Sequence, residues 1–224
     1  DPASWTGTVE ALVGYGLARR DGTALVVHPL TAASARAAMD PARRAAVETA
    51  LIRLLAAALP VDVDAEHSQP RSLGLLPHVR AVLDSDVTER PETTGQEMAS
   101  LCAGAGTYLA RYGRPEEAVR YLRRGLAEAE TTLGPDHPDT VPLRHTLAGA
   151  YHETGRLNEA IETFEQVLAA RLRILGPDHP DTLTTRHNLA AVHQSAGRAK
   201  KAIELYEQLL VDWLRISGPD HPDT

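Results

Sequence analysis

Gly134-Pro135-Asp136-His137-Pro138-Asp139-Thr140 recurs, letter for letter, at Gly176–Thr182 and at Gly218–Thr224. The copies stand 42 residues apart each time, with no insertion between them. A fixed period of this length marks a solenoid, in which each unit buries its apolar face only by stacking on its neighbours. Such an array offers a long concave surface, so a binding scaffold is the first functional class to consider.

Within the period the residues read as two helices. In the second repeat, helix A covers about 140–153, with Leu143, Leu147, Ala148 and Tyr151 on one side. Thr154-Gly155-Arg156 forms the turn. Helix B covers about 157–175, with Ala160, Ile161, Phe164, Val167, Leu168, Leu172 and Leu175 at helical spacing. The third repeat matches at Leu189, Ala190, Ala202, Ile203, Tyr206, Leu209 and Leu210. The first matches at Leu109, Ala118, Val119, Leu122, Leu126 and Leu133, with Pro115 opening its helix B. The heptapeptide reads as punctuation. Its Gly suits the left-handed residue that ends a helix, and its Pro blocks continuation. Its two Asp side chains are expected to cap the next helix.

Ahead of the array, the apolar spacing of Thr8–Arg20 predicts a helix, Asp21-Gly22 a turn, and Ala24–His28 a short strand. Thr31 is expected to cap a helix through Ala32–Met39. Pro41 suits the first turn of a longer helix whose apolar face is Val47, Leu51, Leu54, Leu55 and Ala58, ended by Pro60. Residues 61–70 read as a loop. Leu73–Leu83 reads as a short helix interrupted or opened at Pro77, and 84–94 as a polar linker. The expected organisation is therefore the end of a winged-helix-like domain at 1–40, a helical linker region at 41–92 and three repeats at 93–224. The fold class is all-α, with a small β-hairpin near the start.

Bulk composition agrees. The apolar fraction is 43% with one Phe, two Trp and six Tyr, which favours close-packed helices over a β-sandwich. The net charge is −7. Residues 1–92 hold 9 basic and 12 acidic side chains, and residues 93–224 hold 14 and 18. Neither part has the basic balance of a nucleic-acid binder. A single cysteine, Cys102, excludes an internal disulfide and points to a reducing compartment. Without a signal peptide or an apolar run of membrane length, the expected location is the cytoplasm and no membrane partner is expected. The sequence opens without Met and closes on the last residue of a heptapeptide, as expected of a piece of a longer protein.

Small residues at the tight helix contacts (Ala148, Ala160; Ala190, Ala202) and the aromatics Tyr151, Phe164 and Tyr206 resemble the tetratricopeptide repeat. The long period and Leu-Gly-Pro-Asp-His-Pro at Leu133–Pro138 and Leu175–Pro180 are similar to the variant found in kinesin light chains. That resemblance implies a right-handed superhelix whose helices A line the concave side and take up a protein or peptide. By the register, the groove residues it implies are Arg144, His145, Thr146 and His152, with Thr184, Arg186, His187, Asn188 and Gln194 in the next repeat. In related proteins the Asn at the Asn188 position bonds a bound peptide's backbone, since its amide both donates and accepts. Thr146 and Gly104 hold the equivalent positions.

Residues 1–92 resemble the segment that follows the nucleotide-binding domain in STAND-class (NB-ARC) signalling ATPases, where a winged helix ends in a strand carrying a histidine motif. Val27-His28-Pro29-Leu30 stands in that place. The resemblance implies that His28 contacts ADP or ATP held by an upstream nucleotide-binding domain in cis. No Gly-x-x-x-x-Gly-Lys-Ser/Thr loop occurs in these residues, so no cofactor is expected in this chain itself. The histidines of the heptapeptides (His137, His179, His221) belong to successive layers roughly 8–10 Å apart, too far to converge on one metal. Cys102 sits amid Ala and Gly as an inert thiol, and no catalytic constellation is present. The expected role is the sensor or partner-binding arm of a signalling protein. The rivals are a DNA-binding regulator using the winged helix and a plain assembly scaffold.

The last repeat is expected to leave apolar residues for a following layer: Ala202, Tyr206, Leu209, Leu210 and Trp213. Self-association through that end should therefore appear in static light scattering as a mass that rises with concentration; a strict monomer at high concentration would count against it.

Overall fold

The computed structural model describes residues 10, 13, 18–21, 24–27, 29–59, 69–83 and 94–217. The chain divides into two compact units, Asp1–Glu48 and Thr49–Thr224. His28 and the third heptapeptide lie outside the described residues, as does most of the stretch read as the first helix.

In the first unit, strands β1 (Ala18–Asp21) and β2 (Ala24–Val27) pair antiparallel, Ala18 opposite Val27 and Asp21 opposite Ala24. Helix α1 follows at Pro29–Ala37. Two expectations change here. Ala18–Arg20 is strand rather than the end of a helix, because β2 takes it as its ladder partner. The next helix opens at Pro29, not at a Thr31 cap. Proline fits the first helical position, where its missing N–H costs nothing.

Helix α2 spans Pro41–Ala58 and α3 spans Gln69–Leu83. Pro77 lies inside α3 and does not open it. The buried line of α2 is Ile52, Leu55 and then Leu59 just past its end. Val47, Leu51 and Leu54 are exposed, Leu54 by 68%, so of the predicted face Leu55 is the residue that packs. The close neighbour of Leu59 is Gly104: a Cβ there would lie 2.7 Å from the Leu59 carbonyl oxygen. Val79, Val82 and Leu83 of α3 join the same core.

The repeats supply three helix pairs: α4 (Thr94–Arg111) with α5 (Pro115–Thr132), α6 (Thr140–Glu153) with α7 (Leu157–Ile174), and α8 (Pro180–Ser195) with α9 (Ala199–Ser217). Each second helix also packs on the first helix of the next pair, and the first helices approach one another more closely than the second helices do. The array of repeats therefore curves with α4, α6 and α8 on its inner side. Leu109, Ala118, Leu122, Leu147, Ala148, Ala160, Phe164, Leu189 and Ala190 form its spine, each 4% exposed or less. Leu172 and Leu175, read as core, are exposed by 37% and 41%. In the last helix Ala202 and Leu209 are buried, while Ile203, Leu210, Val211, Leu214 and Ile216 are the exposed large apolar residues.

The heptapeptide does punctuate, through a different side chain. Gly134 and Gly176 sit at φ +96° and +87°, and their amides return to the carbonyls of Ala129 and Arg171, closing α5 and α7. The cap of the following helix comes from histidine, not aspartate. His137 Nδ1 accepts from the Asp139 amide, and His179 Nδ1 from the Asp181 amide, both at 3.2 Å. Asp139, at the N-cap of α6, makes no side-chain capping bond. The first Asp of each of the two described copies reaches outward instead: Arg173 meets Asp136 at 2.5 Å, and Arg215 meets Asp178 at 2.8 Å. These exposed pairs add little energy each, but they repeat in register.

Phe164, 1% exposed, is the largest fully buried side chain of the array. Its truncation to Ala should cost about 3–5 kcal/mol of unfolding free energy, measured by denaturant titration. An unchanged midpoint would contradict its place in the core.

Candidate functional site

The residues expected to line a groove mostly have partners within the chain. Arg144 is buried and reaches back to Glu130 of α5 at 2.6 Å. His145 lies edge-on to Phe164, with centroids 5.3 Å apart. His187 and Tyr206 repeat that pair one period later at 5.6 Å. Asn188 is not a free amide: its Nδ2 donates to His145 Nε2 at 3.1 Å, across the junction of the second and third repeats. Arg186 is paired with Asp212 of α9. Ser195 gives its hydroxyl hydrogen to the Ala191 carbonyl, so His152 Nε2 acts as donor to the Ser195 oxygen at 2.8 Å. Thr146 and Thr184 turn their hydroxyls onto the carbonyls of Pro142 and Pro180 in their own helices. Gln194 and Thr184 are exposed. At the second junction Asn188, His145, His152 and Ser195 form a polar seam bonded within the chain. No group of three or more metal-ligand side chains stands together among the described residues.

One buried charge organises that seam. Arg171 of α7 is 6% exposed. Its Nη1 donates to the Asp181 carbonyl at 2.8 Å and to Thr185 Oγ1 at 2.7 Å. Its Nη2 lies 3.9 Å from the Asp181 carboxylate. Burial lowers the Arg171 guanidinium from its ordinary pKa. Burial, and then the Arg171 charge, lower His145 to about 4. His145 is therefore neutral near pH 7, as its acceptor role toward Asn188 requires.

The first junction is built differently. Between α4 and α6 lies a cleft of about 380 Å³. Gln96, Ala99, Ser100, Ala103 and Thr107 of α4 form one wall; Pro142, Leu143 and Thr146 of α6 form the other. Ala129, Leu133 and Asp139 close the end. Of the residues expected from sequence, Thr146 alone lines this cleft. Gly104 does not face it but packs on Leu59. The missed residues lie on α4, where the sequence does carry a signal. Shifting the register by 42 residues puts Ala103 at the place of His145 and Ala129 at the place of Arg171. Two methyl groups stand where the next junction has an imidazole and a guanidinium.

The lowered pKa of His145 sets a sign. Its folded pKa lies below the ordinary value of 6.5, so between those values the unfolded chain binds more protons. Stability is then complete above about pH 6.5 and is lost as pH falls toward 4, by roughly 2–3 kcal/mol. Urea midpoints measured across that window should show this loss, to which buried His193, also lowered by burial, adds, and His145→Gln should reduce the slope. A slope unchanged by the substitution would contradict the assignment.

No helix among the described residues is long and apolar enough to cross a membrane. Over 57 residues, 25% of this chain, the sequence is 41% identical to nephrocystin-3 of Xenopus laevis, and it spans about 4% of that protein's length. Among solved structures, the nearly identical TPR-like repeats of a Podosopora anserina protein described as a kinesin light chain share 26% identity. The match covers 82% of this chain and 81% of that one at a TM-score of 0.55. A point-substituted form of the same protein gives 25% identity, 82% of each chain and a TM-score of 0.55. BtubC (BKLC) from P. vanneervenii, at 18% identity, 83% of this chain, 69% of that chain and a TM-score of 0.55, shares the fold. Residues 97–173 and 143–210 each match the tetratricopeptide repeat. Those two spans together run over half of the sequence, and the chain belongs to the tetratricopeptide-repeat family.

Proposed function

We propose that this chain is a protein- or peptide-binding scaffold and that the inner surface between α4 and α6 takes the ligand. The observation that carries this reading is the cleft at the first junction. It is walled by small and hydroxyl side chains, whereas the equivalent space at the second junction is filled by the protein's own Arg171 and His145. A cleft of this size holds one or two side chains of an extended peptide, with the backbone laid along the helices. The scaffold carries no reaction of its own in this reading; it presents a partner.

The same reading extends to a larger protein. The array would be the sensor arm of a STAND-type signalling protein, with an ATP- or ADP-binding domain upstream in cis, and ligand on the repeats would bias that switch. What supports this is the resemblance around Val27–Leu30, with His28 falling in sequence between β2 and α1. The net charge of −7 offers no support to a DNA-binding reading. The sequence upstream of Asp1 decides the extension: a phosphate-binding loop a domain's length away supports it, and its absence leaves a scaffold without that switch.

Binding itself is tested by selecting peptides from a displayed library against the 224-residue chain. Selected peptides should bind in solution and lose about tenfold or more in affinity on Ser100→Arg or Thr107→Arg, a loss of at least about 1.4 kcal/mol. Gln166→Arg, on the exposed side of α7, should leave binding unchanged. Peptides that respond equally to all three substitutions would contradict the site.

A further inference from the structure

The two junctions allow the occupant of the first to be read from the second. Moving by one period, Ala129 becomes Arg171, Ala103 becomes His145, Asp139 becomes Asp181 and Leu143 becomes Thr185. At the second junction the guanidinium of Arg171 fills the space, bonded to the Asp181 carbonyl and the Thr185 hydroxyl and 3.9 Å from the Asp181 carboxylate. At the first junction the aspartate is kept as Asp139, the guanidinium is missing and Leu143 stands in place of the Thr185 hydroxyl. Asp139 is the one charged residue among those lining the cleft. Its ion-pair neighbour within 4 Å is His137, whose Nδ1 lies 3.7 Å away and accepts the Asp139 amide, which is the role of a neutral imidazole. The nearby Arg144 is turned to Glu130. Ala99, Ala103 and Leu133 give an apolar wall of the kind that an aliphatic stem covers. Ser100, Thr107 and Thr146 add hydroxyl oxygens where Leu143 has replaced the Thr185 acceptor.

We propose that the cleft at the first junction binds an arginine side chain of a partner polypeptide, in the place that the chain's own Arg171 takes at the second. This rests on the reading of the inner surface as a peptide-binding site and names the chemistry of its ligand. Arginine is preferred over lysine because the planar guanidinium bridges two separate acceptors, as Arg171 does, while an ammonium presents a single point charge. Arginine is preferred over leucine because Asp139 is among the residues that line the cleft. The overall charge of −7 favours approach of a basic segment.

The test is NMR titration of the 224-residue chain with N-acetyl-arginine-N-methylamide and with its lysine and leucine counterparts. The arginine probe should shift the methyl and amide signals of Ala99, Ala103 and Ala129 saturably, and more tightly than the other two. Asp139→Asn should weaken it by about two- to fivefold, the range of a solvent-exposed ion pair. Ala129→Arg, which supplies the guanidinium in cis, should abolish it. If Ala129→Arg does not fold, Ala103→His fills the same space from α4 and should do the same. Leucine binding as well as arginine, arginine binding that survives these filled-cleft variants, or no shift at tens of millimolar probe would each overturn the proposal. If displayed peptides still bind between α4 and α6 without an arginine, this inference fails and the scaffold reading stands. If no peptide binds there, both fail.

Discussion

Everything in the array depends on how closely the two helices of a repeat can cross. The crossing residues are Gly106 and Ala118 in the first repeat, Ala148 and Ala160 in the second, and Ala190 and Ala202 in the third; the five alanines are 3% exposed or less. In the first repeat even a methyl is too large, since a Cβ on Gly106 would lie 2.5 Å from Leu122. Gly125 is held as tightly, 2.7 Å from the Cβ of Cys102 on the same measure. Close crossing brings the large residues of the second helix into the gap between layers, where Leu122 and Phe164 are buried. Because each layer repeats that geometry, residues 42 apart occupy equivalent places, and any difference between repeats becomes a difference between junctions.

That equivalence turns small substitutions into large structural contrasts. His145 beside Phe164 and His187 beside Tyr206 are one device used twice. Ala103 holds the same position in the first repeat with the device removed. The second junction uses its polar groups internally, on Arg171, Asn188 and His145, and gains a defined register between layers. At the first junction Ala129, Thr146 and Ala103 hold those positions and line a cleft. A buried guanidinium without a close carboxylate is costly unless it is well bonded, which Arg171 is through a carbonyl and a hydroxyl. At the first junction Asp139 keeps its place, with His137 Nδ1 3.7 Å from its carboxylate, and the guanidinium is missing.

The helices of the array were legible in the sequence because the period, the turn glycines and the apolar spacing agree. Thr140–Glu153 emerges with the bounds that reading gives. The face of α2 was not legible. Its run of alanines is apolar all round, so spacing alone does not choose between Leu51 with Leu54 and Ile52 with Leu59; contact with Gly104 chooses. For the groove residues the pattern placed the side chains on α6 and α8 but did not give their partners. Whether Asn188 is free depends on His145, 43 residues away, and local pattern carries no information about that pairing. The capping by His137 and His179 was hidden for a plainer reason, since aspartate is the commoner cap and two were available. The open cleft could have been found from sequence by comparing the repeats position by position and noting where side chains vanish.

If the first helices carry the ligand surface and it lies open at the first junction, a crystal structure of the chain with a display-selected peptide will show that placement. Peptide density is expected between α4 and α6, in contact with Ser100, Thr107 and Thr146, with α5 and α7 uncovered on their outer sides. Peptide seated on those outer sides, or along the second junction with the Arg171 seam displaced, would contradict it.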